Sequence, residues 1–373
     1  MPKTVVIDAR WLIGGIGTYT ENLLMGLARN ANGLNFHAIA RRVDAPRVKQ
    51  WCPSVTVVDV PIYTLLEQFM VPRAAIKCDL LHVPHYNAPL LHRGPLIVSI
   101  MDVIHLSAPA YRHSFNTSLY ARPMLNAAAR KALHIVTVSE YSKTQIMETL
   151  GIPSAKISVI HCGVDNQLFN ADDEEPFRTV QEYFRISQPY LLYVGNLKPH
   201  KNVSTLLRAF AQLRRQKKIP HCLLIVGDDA RWKRSLVAEC SRLGISNDTA
   251  FLPYVSPALL PKIYAAADLL VMPSSVEGFG LPVLEAMACG TPVVCSRAAS
   301  LPEVAGPAAV YFDPASEEEL AIEIERLLQC TELYEALSAR GKERARQFTW
   351  QSSTCKHLAL YNRLLGQNSG KAS

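Results

Sequence analysis

LLVMPSSVEGFGLPVLEAMACGTPVVCS, residues 269–296, sets two short apolar runs on either side of a turn and a helix-like stretch. LLVMP (269–273) and PVVCS (292–296) are short and rich in aliphatic side chains, as buried strands are. EGFG (277–280) reads as a turn. Pro282 suits a first helical position, where no N–H is needed. LPVLEAMAC (281–289) follows as a short helix and Gly290 as its C-cap. A strand, a helix and a second strand in so little chain call for parallel pairing.

The same alternation extends in both directions. Upstream, TVVIDA (4–9), LNFHAIA (34–40), VTVVDV (55–60), LLHV (80–83), PLIVSI (95–100), HIVTVS (134–139) and ISVI (157–160) read as strands. YTENLLMGLARN (19–30) reads as a helix with Leu23, Leu24 and Leu27 on one face. Nearer the opening stretch, YLLYVG (190–195), CLLIVGD (222–228), TAFLP (249–253) and AVYF (309–312) repeat the theme. Such alternation predicts an α/β protein with parallel sheets and helices on both faces. NADDEEP (170–176) is acidic and lacks aliphatics, so a hinge is expected near residues 165–185. The predicted architecture is two doubly wound Rossmann-like domains: 1–170, 171–350, and a C-terminal helix, 351–373, crossing back to the first. Leu358, Tyr361 and Leu365 share a face of that helix. Ligands are then expected outside the carboxyl ends of the strands, in a cleft between the domains.

Composition narrows the class. A chain of 373 residues, 49% hydrophobic and 19% charged, exceeds one typical core and is not disordered. No run of eighteen apolar residues exists, and Asp8 and Arg10 interrupt the N-terminal apolar stretch, which makes it a poor signal peptide. Nine scattered cysteines without a C-x-x-C pair argue against a disulfide framework and against cysteine metal sites. A reduced cytoplasmic protein is expected. Residues 1–170 hold 16 Lys/Arg against 10 Asp/Glu, and the remainder 23 against 22. That excess is too dilute for nucleic acid, and no nucleic-acid motif accompanies it. Solvated surface explains it, with attraction to an anionic acceptor or the inner face of a membrane as the alternative.

Glu277 and Glu285 flank the turn. The N–H groups of EGFGL stand at a helix N-terminus, where anions bind, and glycines let a ligand approach the backbone. Carboxylates accept hydrogen bonds from sugar hydroxyls. Dipole compensation around a solvated turn is the competing explanation.

E-G-F-G-L-P-x-L-E-A-M-A-x-G-T-P-V (277–293) resembles the E-x7-E signature of retaining glycosyltransferases of family 4, whose two-domain fold is GT-B. VSEYSKTQI (138–146), VIHCGVDNQLF (159–169) and YLLYVGNLKPHKNVSTLLRAF (190–210) resemble further segments of that family in order. HVPHYNAPL (82–90) and VSIMDVIHL (98–106) resemble a mannosyl- or rhamnosyltransferase-like branch. The resemblance implies that Glu277 contacts the donor sugar and Glu285 the ribose hydroxyls. It places Gly15 and Gly17 of GGIGTY (14–19) near the donor phosphates, and Gly195, Asn196, Lys201, Gly278, Phe279, Gly280 and Leu281 around the donor.

Lys201 follows a strand and a Pro199-containing loop and opens a helix, where it can neutralise a departing diphosphate. An ordinary surface lysine is the alternative. The chain departs from the family at two places. An arginine common five residues before the lysine is Asn196 here, and the histidine of an I-H-D segment is Met101, with Asp102 retained and His105 nearby. GGIGTY lacks the third glycine of a dinucleotide fingerprint, and Arg41 and Arg42 stand where an acidic residue would follow the second strand, so NAD is poorly supported. His82 and His85 lack a third metal ligand, Asp228 and Asp229 suit a helix cap, and no D-x-D-like site occurs.

The implied function is metal-independent, retaining transfer of a hexose from a nucleotide diphosphate sugar to a saccharide or lipid-linked saccharide. Lys201, Glu277 and Asp102 are the expected catalytic groups. No cofactor is expected beyond the substrate, GDP-mannose ahead of UDP- or dTDP-hexoses. A GT-B phosphorylase, a nucleotide-sugar epimerase and a binding protein with reduced transfer remain as alternatives.

Overall fold

The β-branched run after Met1 forms the first strand, β1 (Lys3–Asp8), whose last four residues are fully buried. A strand covered on both faces reads as a continuous apolar run. The other strands of its sheet are β2 (Leu34–Ala40), β3 (Val55–Val57), β4 (Leu80–Val83), β5 (Leu96–Ser99), β6 (His134–Thr137) and β7 (Ile157–Val159). All pair in parallel in the order β3-β2-β1-β4-β5-β6-β7, with Val5 opposite Phe36 on one side and Leu80 on the other. The structure, a computed structural model, describes residues 2–30, 33–107, 115–170, 176–253 and 255–369.

A second parallel sheet takes the order β10-β9-β8-β11-β12-β13. Its strands are β8 (Tyr190–Val194), β9 (Cys222–Val226), β10 (Thr249–Leu252), β11 (Leu269–Met272), β12 (Val293–Ser296) and β13 (Ala309–Phe312). The helix Val203–Arg215 shows how its core is made. Leu206, Leu207, Phe210 and Leu213 recur at three- and four-residue spacing and are buried, while Arg214 and Arg215 close the last turn. Both sheets reverse strand order beside their first strand, the switch point at which doubly wound sheets bind ligands.

The chain divides into Met1–Gly163 with Trp350–Ser373, and Val164–Thr349. The first unit thus ends at Gly163, ahead of the boundary at 170 read from the sequence. The physical reason is a backbone clasp within the second unit: Val164 N donates to Phe348 O at 3.0 Å, and Val164 pairs with Thr349 as a parallel bridge. Much of the acidic stretch used to place the hinge, residues 171–175, lies outside the described residues.

The helix Trp350–Ser369 belongs to the first unit and buries Leu358, Tyr361 and Leu365 there. A directional hydrogen-bond chain secures it. The Ser353 carbonyl can only accept, so His357 Nδ1, 2.8 Å away, donates to it. His357 Nε2 must then accept from the Tyr19 hydroxyl at 2.7 Å. Tyr19 Oη in turn accepts from Ser99 Oγ at 3.1 Å, and Ser99 accepts from His82 Nε2 at 2.8 Å. His82 Nδ1 is left to accept from Tyr361 Oη at 2.6 Å. Burial pushes His357 down to about 4 and His82 well below its usual range, so both rings are neutral, as this order of donors requires. His82 therefore sits inside β4 as a structural residue. Among the described residues, no helix is long and apolar enough to cross a membrane.

Candidate functional site

In the second unit, β8 and β11 lie side by side, and the loops leaving their carboxyl ends are stitched together. Ser275 N donates to His200 O at 2.9 Å. Asn202 Nδ2 donates to Pro273 O at 3.1 Å and to Pro314 O at 2.8 Å. Asn202 has a left-handed backbone, φ 56, which ends the short 3-10 turn Pro199–Lys201 before the helix begins at Val203. Lys201 thus stands in the turn rather than at the helix start expected from sequence, because Asn202 breaks the helical path between them.

That offset aims Lys201 across the strand exits. Lys201 Nζ lies 2.6 Å from Glu277 Oε1, with side chains 12% and 8% exposed. Ser274 Oγ donates to the same carboxylate oxygen at 2.8 Å. The backbone of the turn is held too: Ser300 Oγ donates to Glu277 O at 3.0 Å and to Phe279 O at 2.9 Å. Gly280, φ 105, then turns the chain into the helix Leu281–Ala288. A β-carbon there would be strained in this conformation and would lie 2.8 Å from Leu301 Cδ2. Pro282 stands second in the helix, not first.

Glu285 occupies a separate environment one turn into that helix. It accepts from the Tyr264 hydroxyl at 2.7 Å and keeps part of its surface open to solvent. Burial of its carboxyl raises it to about 7, against a smaller lowering by Tyr264. The two glutamates are therefore chemically distinct: Glu277 is paired with a cation, and burial makes Glu285 hold its proton to higher pH than an ordinary carboxyl.

The remaining residues fall as follows. Lys201, Glu277, Gly278, Phe279, Gly280 and Leu281 are gathered at one end of the second sheet. The Phe279 ring itself turns inward, edge-on to Phe348 at 6.1 Å, so only its backbone faces the turn's open side. Gly195 follows β8 and donates its N–H to Val226 O at 2.9 Å. Asn196 is exposed, and its Oδ1 accepts from Lys198 N at 3.2 Å, which shapes the loop. Asp229 caps the helix Ala230–Leu243 by accepting from Arg231 N.

Gly15, Gly17 and Asp102 belong to the first unit. Gly15 has open space about it, whereas a side chain at Gly17 would strike the Leu12 backbone, so Gly17 serves the packing of its own loop. Asp102 Oδ1 accepts from Ile104 N at 3.1 Å and caps a short helical turn. The His105 side chain lies outside the described residues. Among the described residues, no group of three or more His, Cys, Asp or Glu gathers to hold a metal ion.

Sequence reasoning missed Ser274, Ser300, Asn202 and Tyr264. Ser274-x-x-Glu277 has the spacing of a capping box and could have flagged the serine. Ser300 and Tyr264 lie 23 and 21 residues from the groups they hold and leave no local signal.

Comparison with known proteins adds the identity of the family. Residues 13–168 match the model of Glycosyltransferase Family 4, and residues 180–344 match that of Glycosyl transferases group 1. The O-antigen chain mannosyltransferase B of Escherichia coli is 33% identical over 289 residues, 76% of this chain and 74% of that protein. The chain belongs to glycosyltransferase family 4. It falls in the mannosyltransferase-like branch: the MMP alpha-(1->4)-mannosyltransferase of Mycolicibacterium hassiacum is 32% identical over 65% of this chain and 57% of that protein. The fold is GT-B. The structure of Anabaena Alr3699/HepE in complex with UDP and glucose matches with a TM-score of 0.80 at 21% identity, covering 97% of this chain and all of that one. Sucrose-phosphate synthase from Thermosynechococcus elongatus matches with a TM-score of 0.81 at 20% identity over 98% of this chain. As a member of this family, the glycosyltransferase moves a sugar to an acceptor.

Glu285 carries a pH signature. Its folded value of about 7 lies above the ordinary 4.5. Between those values the folded chain keeps a proton that the unfolded chain has released, so this contribution to stability is full at low pH and is lost as pH rises through 7. The melting temperature of the wild type minus that of Glu285→Gln should therefore fall between about pH 5 and about pH 8. A difference independent of pH would contradict a buried carboxyl.

Proposed function

We propose that this glycosyltransferase transfers mannose, with retention of anomeric configuration, from GDP-mannose to a hydroxyl of a saccharide or lipid-linked saccharide in surface-glycan assembly. The single observation that carries this reading is the 2.6 Å Lys201–Glu277 pair at the strand exits beside the glycine-capped turn. A nucleotide diphosphate sugar offers each partner a replacement: phosphate oxygens for the ammonium, and sugar hydroxyls for the carboxylate. Lys201 then neutralises the diphosphate as the bond to the sugar breaks, and turn amides add to that charge. Glu277, fixed by Ser274, holds the sugar. Glu285 accepts from ribose hydroxyls in either protonation state, because a protonated carboxyl retains an acceptor oxygen.

Mannose is favoured by the activity of the E. coli mannosyltransferase, which is 33% identical to this chain over 289 residues. The HepE structures hold UDP with glucose or UDP-glucose, which keeps UDP-hexoses as the second choice. The charge that Lys201 and the turn amides offer in place of a metal ion supports the metal-independent reading. By resemblance, Gly15 and Gly17 are assigned near the donor phosphates and acceptor, and Asp102 to the catalytic groups. The chain acts at the cytoplasmic face of the membrane when its acceptor is lipid-linked.

Calorimetric titration with GDP-mannose, UDP-glucose, dTDP-glucose and ADP-glucose tests the donor, and GDP-mannose should bind tightest. Lys201→Ala should lower kcat about 100-fold or more, as loss of a charge-stabilising donor does. Wild-type turnover in that variant would remove Lys201 from the reaction. Incubation with excess EDTA should leave transfer intact, and abolition of activity restored by a divalent cation would contradict the metal-free reading.

A further inference from the structure

Tyr63 holds a left-handed backbone, φ 67, at a position without glycine. A bulky residue persists there only when its surroundings enforce it. The enforcement is visible. Tyr63 N donates to Glu67 Oε1 at 3.0 Å, and Asn87 Nδ2 donates to the same oxygen. Arg10 Nη2 donates to Glu67 Oε2 at 3.2 Å, and Arg10 grips Asp8 through two bonds of 2.9 and 2.8 Å. Asp8, Arg10 and Glu67 are all buried. Replacing such a buried ionic cluster with apolar side chains is often neutral or stabilising, so stability alone does not explain it.

What the cluster fixes is an aromatic wall. Tyr63 lies edge-on to Trp11 at 6.0 Å and to His85 at 5.7 Å. Trp11 stacks on His85 at 5.3 Å, and His85 on Tyr86 at 4.3 Å. The Tyr63 hydroxyl is 3.2 Å from both His85 Nε2 and Tyr86 Oη. Trp11 follows β1 and His85 and Tyr86 follow β4, so the wall stands at the ligand-binding end of the first sheet. Tyr63 remains 40% exposed despite this scaffolding, and Trp11 and Tyr86 are each partly exposed.

We propose that Trp11, Tyr63, His85 and Tyr86 form a stacking subsite for a neutral pyranose ring of the acceptor. Aromatic faces take the C–H face of a sugar, while the phenol groups of Tyr63 and Tyr86 bond its hydroxyls. His85 holds the rings in place, because Asn87 N donates to its Nδ1 at 3.0 Å and the Tyr63 hydroxyl meets its Nε2. Charge selects against a phosphate. Asp8 and Glu67 outnumber Arg10, and Asp102 is near enough to Tyr86 to help raise its phenol. The proposal rests on the transfer reading above for the word acceptor, but sugar binding can be measured without transfer.

The probe is methyl α-D-mannopyranoside, titrated against the full chain and followed by saturation-transfer NMR and tryptophan fluorescence. GDP-mannose calorimetry runs in parallel. Wild type and Tyr63→Phe should bind the glycoside saturably. Tyr63→Gly should weaken it about tenfold or more, the equivalent of about 1.4 kcal/mol, while leaving GDP-mannose affinity unchanged. Glycine relaxes the left-handed backbone but forfeits the ring's contacts with Trp11 and His85, so the melting temperature of Tyr63→Gly is recorded beside its binding. If it melts lower, Trp11→Leu decides: weakened glycoside binding there supports the subsite, and unchanged binding overturns it. Absence of saturable glycoside binding by wild type, or equal affinity in Tyr63→Gly, also overturns it. Loss of GDP-mannose binding with glycoside binding intact would instead contradict the donor reading and leave the subsite supported.

Discussion

The Lys201–Glu277 ion pair is the interaction on which the second unit's functional end depends. It joins two strand exits 76 residues apart, and both side chains are nearly buried. A pair in that setting is weak evidence for stability, because desolvation offsets much of the attraction, yet removing one partner leaves a buried charge at a cost of about 3–5 kcal/mol. Everything around it serves to hold it in place. Ser274 fixes the carboxylate, Ser300 fixes the backbone behind it, and Asn202 fixes the turn that carries the lysine. The result is a cation and a carboxylate held in fixed positions at the strand exits.

The first unit uses a different solution to bury polar groups. Its chain of neutral donors and acceptors from Ser353 to Tyr361 satisfies every member without a charge. That network ties the C-terminal helix to the strands β4 and β5. The strand exits beyond them carry the ionic cluster of Asp8, Arg10 and Glu67 instead, where unpaired charge would be costly and where a strained tyrosine is held half-exposed. Among the described residues, these buried ion pairs stand at the carboxyl ends of the two sheets, and neutral hydrogen bonding ties down the C-terminal helix.

Much of this was legible in the sequence. The run 269–296 folds as the strand, turn, helix and strand that its pattern dictates, because apolar runs of that length have no other way to be buried. The spacing of Glu277 and Glu285 correctly marked two carboxylates on either side of one helix start. Three features were not legible. Phe279 points into the core toward Phe348, a contact set by a residue 69 positions away. Lys201 precedes its helix because Asn202 takes a left-handed conformation that composition does not announce. The unit boundary depends on a backbone bond between Val164 and Phe348, which no local pattern encodes. In the first and third cases the deciding partner is distant in the chain, and in the second Asn202 is adjacent but its side chain is held by the carbonyls of Pro273 and Pro314, 71 and 112 residues away.

Under the proposed function, a hexose leaves a nucleotide diphosphate held by this site and arrives with its anomeric configuration kept. Proton NMR of the anomeric region, recorded during turnover of GDP-mannose with a mannoside acceptor, reads that outcome. Retaining transfer gives an α-linked product from the α-linked donor, appearing together with GDP. A β-linked product, or mannose 1-phosphate formed only when free phosphate is present, would contradict it.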